Sequence, residues 1–139
     1  MDDAGNRKMN RRELLGLLAA LTATGAGANT APDPVKLNPR SYRVLFENDK
    51  LRVIEYHSKP GLGVCGQGLH YHPEHLTIAL SGGKVKIRAE GGAMRTIDVP
   101  AGHMLWAHAE VHAIENLSGR NMHAYIVEYK DSNWKPSTG

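Results

Sequence analysis

Four histidines carry the strongest chemical signal in this chain. Residues 66–75 read G-Q-G-L-H-Y-H-P-E-H, so His70, His72 and His75 fall within six positions, and His112 follows about forty residues later in H-A-I-E-N. Neutral imidazole is the commonest protein ligand for transition metals, and residues i and i+2 of a β-strand point to one face of a sheet. His70 and His72 are therefore predicted to present two imidazoles side by side. Ordinary burial explains such a pair poorly, because neighbouring rings repel when charged and need partners when neutral. A metal site built on strands, holding one divalent transition ion, is the first expectation.

The elements that must position these residues are short strands. Residues 41–47 and 51–57 flank Asn48-Asp49-Lys50 and read as a hairpin. Strands follow at 75–81, 84–90, 94–99, 104–107, 111–116 and 122–130, punctuated by Gly82-Gly83, Gly91-Gly92, Pro100-Ala101-Gly102 and Ser118-Gly119. Such spacing predicts an all-β sandwich or small barrel. A core drawn from about 90 residues is modest, so dimerisation through a sheet edge or face is expected. A hydrophobic content of 41% and a charged content of 22% fit one globular domain. The formal charge of +3 is too small to argue for nucleic acid, and the densest basic cluster, Lys84, Lys86 and Arg88, alternates with Val85, Ile87 and Ala89 as a solvated strand face does.

Residues 1–28 belong to a different regime. Arg7, Lys8, Arg11 and Arg12 precede the apolar stretch Leu14 to Leu21, and small residues end in Ala26-Gly27-Ala28. This order of basic region, short apolar region and A-x-A predicts a cleavable signal peptide, too short to remain as a membrane span. The paired arginines of N-R-R-E-L-L are similar to a twin-arginine (Tat) export signal, although Asn10, Leu14 and Gly16 depart from its usual residues. Export implies a periplasmic or secreted protein without a stable membrane anchor. Cleavage after Ala28 removes four basic and three acidic residues, taking the charge from +3 to +2. Residues 29–40 read as a linker, 41–130 as the domain and 131–139 as a polar tail. The single Cys65 cannot close an intrachain disulfide, and it reads as a small loop residue or, alternatively, a thiolate ligand.

The order of glycine-rich loop, H-x-H, strand, glycine turn, hairpin, P-x-G and H-x-x-x-N resembles the cupin superfamily over roughly residues 41–130. Its first motif, G-x5-H-x-H-x3,4-E-x6-G, is matched by His70-Tyr71-His72 and Gly82. Its second, G-x5-P-x-G-x2-H-x3-N, is similar to Gly102 through His112 and Asn116. The resemblance implies a jelly-roll β-barrel in which His70, His72 and His112 hold one divalent metal ion. The chain departs at the fourth ligand, usually glutamate: Leu76 and Thr77 stand where it would fall. Counting back from Gly82 reaches His75, and Glu74 is the other candidate. Parity separates them: if Leu76, Ile78 and Leu80 face the core, Glu74 is in phase with them, whereas if His75, Thr77 and Ala79 face it, the leucines form an outer face that wants a partner subunit. His75 is preferred because it preserves the distance to the turn. In the second motif, His108 and Glu110 stand at the usual Pro and Gly, and His112 comes one residue early.

The remaining notable residues have structural explanations. His57 ends a strand and reads as surface, while His103 and His123 alternate with apolar neighbours and read as hydrogen-bonded interior residues or pocket bases. Trp106 reads as core or interface, and Trp134 lies in the tail. All-nitrogen ligation favours Fe, Zn, Ni or Cu over Mn. Two functions are thus expected to compete: a metal-dependent enzyme acting on a small polar substrate, by dioxygenase, isomerase or hydrolase chemistry, and a non-catalytic module binding a metal or small molecule. No residue is assigned a catalytic role.

Overall fold

The computed structural model describes residues 31–60 and 68–130. The expected signal peptide, Cys65, the polar tail and Trp134 lie outside the described residues. One helical turn, α1 (Pro34–Leu37), precedes nine strands: β1 (Tyr42–Glu47), β2 (Leu51–Ser58), β3 (His70–His72), β4 (His75–Ala79), β5 (Gly83–Ala89), β6 (Met94–Val99), β7 (Met104–Ala107), β8 (Glu110–Asn116) and β9 (Met122–Tyr129). They form a five-stranded sheet of order β1-β2-β9-β4-β7 and a four-stranded sheet of order β3-β8-β5-β6. Every pairing in both is antiparallel.

Alternation decides what faces the space between the sheets. In β5 the buried residues are Val85, Ile87 and Ala89, with Lys84, Lys86 and Arg88 turned away. Ile97, Val99, Leu105 and Met122 complete that cluster, and a second gathers Tyr42, Ile54, Tyr56, Ala124 and Ile126. Burying each such aliphatic side chain stabilises the fold by roughly 1.5–3 kcal/mol, which is why the period of two is obeyed so closely here. In β2 and β9 the same inward phase also carries polar residues: Arg52 and Ser58 on one, Glu128 on the other. Arg52 and Glu128 belong to the site rather than to the apolar core.

The sequence anticipates β3 only through the H-x-H spacing of His70 and His72, and it does not anticipate the packing of residues 32–37. β3 spans only three residues, too few for a periodic signal, and pairs with β8. Residues 32–37, expected as linker, pack on the barrel: the Tyr71 amide donates to the Pro32 carbonyl, and Asp33 caps α1 through the Val35 amide at 2.9 Å. The other carboxylate oxygen of Asp33 binds Arg52 at 2.6 Å, in a pair that is nearly fully buried.

Candidate metal centre

Two rows of paired residues face one another across the barrel. On the smaller sheet His70 is directly opposite His112, and His72 is opposite Glu110. On the larger sheet His75 is opposite Glu128, which is opposite Arg52 on its other side. The period of two puts His70 and His72 on the same inward face, with 0% and 1% exposure, and leaves Tyr71 half-buried between them. His75 and Ala79 also face inward, while Glu74 turns out to meet His108 at 3.3 Å.

Hydrogen bonds fix which nitrogen each ring offers to the centre. A carbonyl oxygen can only accept, so Nδ1–H of His70 donates to the Gly68 carbonyl at 3.0 Å and Nδ1–H of His75 donates to that of Pro73 at 2.7 Å. Nδ1 of His72 lies 2.7 Å from Oε1 of Glu128, and Nδ1 of His112 lies 2.9 Å from Oε1 of Glu110. All four rings are thereby held at Nδ1, leaving Nε2 for the interior. The Tyr42 hydroxyl reaches Nε2 of His70 at 3.2 Å, whereas the buried Nε2 of His112 has no hydrogen-bond partner. A buried ring nitrogen without a partner costs free energy unless something else satisfies it.

Ligand atoms of His70, His72 and His112 lie within 4.8 Å of one another, so these three could hold a metal ion. Each has an acceptor behind it, the arrangement that orients imidazole ligands and raises their basicity. His75 lies beside this trio, its ring centroid 4.9 Å from that of His72 and its Nε2 3.8 Å from Glu110. The residues brought together are therefore His70, His72 and His112, with His75 adjacent.

Burial keeps His70, His72 and His75 neutral. It holds His70 down at about 3, with the nearby His112 adding to the effect, and pushes His72 well below its ordinary value. His75 is lowered too, again by burial, against the Pro73 hydrogen bond. A neutral ring is the form that ligates a metal. For Glu110, burial alone would raise the carboxyl, but His112 and His75 outweigh it and keep the value low. Burial pushes Glu128 up to about 7, against the pull of Arg52, which reaches Oε2 at 2.7 Å through Nε and 2.6 Å through Nη2.

Sequence reasoning had not assigned Glu110, Glu128, Arg52, Asp33 or Tyr42 to the site. Glu128 and Arg52 had a legible signal, since each sits in phase with the apolar residues of its own strand. Next to the imidazoles is a cavity of about 90 Å3, with His75, Glu110 and His112 at one end and Val85, Ile97 and Leu105 at the other.

No protein-family model matches the sequence, and no curated protein matches it either. Solved structures do. A cupin domain from Bordetella pertussis Tohama I superposes with a TM-score of 0.52 at 17% identity, over 65% of this chain and 92% of that one. An RmlC-like cupin family protein with a double-stranded β-helix fold from Methanocaldococcus jannaschii gives 0.51 at 13% identity, over 63% of this chain and 77% of that one. At these identities the likeness is one of fold, and with the two facing antiparallel sheets it shows that the chain folds as a single cupin-type jelly-roll barrel.

Proposed function

We propose that this protein binds one divalent transition ion through Nε2 of His70, His72 and His112, with His75 as a fourth imidazole, and receives a small ligand in the adjoining cavity. The observation that carries this reading is the buried, unpartnered Nε2 of His112, aimed at the same space as two further imidazoles whose Nδ1 atoms are already engaged. All-imidazole ligation favours Zn, Cu, Ni or Fe(II) over Mn. When bound, such an ion supplies Lewis acidity or, if iron, a site for oxygen activation.

The chain's own groups define what the ligand must look like. Glu110 is anionic at neutral pH and sits between His75 and His112 at the polar end of the cavity, where it can hold a proton donor of the ligand. Val85, Ile97 and Leu105 exclude water from the other end, which suits a compact molecule with one polar head and an apolar remainder. This arrangement serves a metal-dependent enzyme. A non-catalytic binding module is the second reading, supported by the largely apolar lining of the cavity.

Two further parts of the reading rest on separate features. Residues 1–28 have the order of an export signal, which supports a periplasmic or secreted protein. Leu80 and Trp106 lie exposed on the outer face of the larger sheet, with Leu76 and Ile78 half-buried there, a surface suited to a second copy of the chain.

The test is Zn2+ titration of protein stripped with a chelator, followed by thermal melting with and without the ion, on the parent and on His72→Ala. A metal-dependent rise in Tm in the parent, lost in His72→Ala, is expected, because a ligand that binds only the folded state stabilises it by mass action. Equal stabilisation of the two proteins would overturn the assignment.

A further inference from the structure

A second group of potential ligands lies on the opposite side of the larger sheet. His57 on β2 and His123 on β9 are directly opposite one another, and their rings stack with centroids 4.1 Å apart at an interplanar angle of 13°. Both rings turn Nε2 towards the same carboxylate. Glu55, two residues before His57 and therefore on the same face, places Oε1 3.2 Å from Nε2 of His57 and 3.0 Å from Nε2 of His123. Its other oxygen is engaged by Arg43, at 3.2 Å from Nε and 2.5 Å from Nη2, which fixes the carboxylate with Oε1 towards the imidazoles.

We propose that Glu55, His57 and His123 form a surface site for a divalent transition ion, distinct from the barrel centre and independent of it. With metal–ligand bonds of about 2.0–2.1 Å, neighbouring ligands of a tetrahedral ion stand about 3.3 Å apart. The observed edges of 3.0 and 3.2 Å are within a few tenths of an ångström of that, and the stacked rings must tilt apart for both in-plane Nε2 lone pairs to meet one ion. The side chains are exposed to different degrees, 12% for Glu55, 32% for His123 and 52% for His57, so the donors rest on the sheet while the fourth position faces water. Two imidazoles and one carboxylate suit Zn2+, Ni2+ or Cu2+. The alternative use of the same geometry is a purely local network in which the carboxylate accepts an N–H from each ring, and it predicts no ion.

The two uses separate on stoichiometry. Calorimetric titration of the chelator-stripped parent with Zn2+ is expected to show two ions per chain, the second with micromolar affinity. His57→Ala with His123→Ala should bind one ion and keep the metal-dependent rise in Tm that the barrel centre supplies. His72→Ala should retain the surface ion. Glu55→Gln, which preserves both the shape and an acceptor oxygen, should weaken the surface ion at least tenfold without changing the fold. A parent stoichiometry that the double variant leaves unaltered, or half-saturation of the second site only at millimolar Zn2+, overturns the proposal whatever happens at the barrel centre.

Discussion

Acidifying metal-free protein isolates the cost of keeping imidazoles neutral in the barrel. In the unfolded chain each histidine titrates near 6.5. His70 is held at about 3 in the fold, so between those values the unfolded state binds more protons, and stability falls as pH falls below about 6.5. At pH 5, about 1.5 units down, this one ring costs about 2 kcal/mol. Glu128 acts in the opposite direction. Raised to about 7 by burial, it binds its proton in the fold before the unfolded carboxyl does, which adds roughly 2 kcal/mol of stability by pH 5. His70 and Glu128 therefore nearly cancel, and the sign rests with His72 and His75. Burial lowers both, and each removes at most about 2 kcal/mol by pH 5. The lowered carboxyl of Glu110 adds its loss only nearer pH 4. A net loss of up to about 4 kcal/mol between pH 7.5 and pH 5 is expected. Urea unfolding in a chelator reads it directly, since a slope of about 1–3 kcal/mol/M turns the full loss of about 4 kcal/mol into a fall of about 1–4 M in the midpoint. A midpoint that holds or rises on acidification would show that these rings are not buried as neutral groups, and the preorganised Nε2 cluster would go with them.

Two substitutions examine the groups around the cluster. Glu128→Gln keeps the shape but removes the carboxylate behind His72; Zn2+ affinity should fall about 10- to 100-fold, and an unchanged affinity refutes the orienting role. His75→Ala should lower Zn2+ affinity by more than that range if this ring is the fourth ligand, whereas Glu74→Ala, which removes only the exposed partner of His108, should leave the affinity as in the parent; the reverse pattern in the same titration would reassign the ligand.

What could be read from the sequence was whatever one strand writes by itself. The inward phase of His70 and His72 follows from their spacing, and the exposed side chain of Leu80 together with the buried His75 and Ala79 resolves the parity of β4. Glu110 shows the limit of reading by motif. It appears in sequence as a departure from a usual glycine, yet in the barrel its carboxylate takes Nδ1 of His112, so the departure supplies a hydrogen-bond acceptor behind a candidate ligand. Other parts depend on which strands become neighbours. Glu128 meets His72 across 56 residues of chain and Arg52 across 76, and nothing in either strand's period announces those partners. His123 makes the same point from the other direction. Its apolar neighbours suggested an interior residue, but Met122 and Ala124 take the buried phase of β9 and turn His123 outward. There the β2–β9 register sets it against His57, and two histidines that look unrelated in sequence acquire one carboxylate between them. Side-chain parity is therefore local information, whereas the identity of the partner is topological, and a site assembled across strands inherits the second kind.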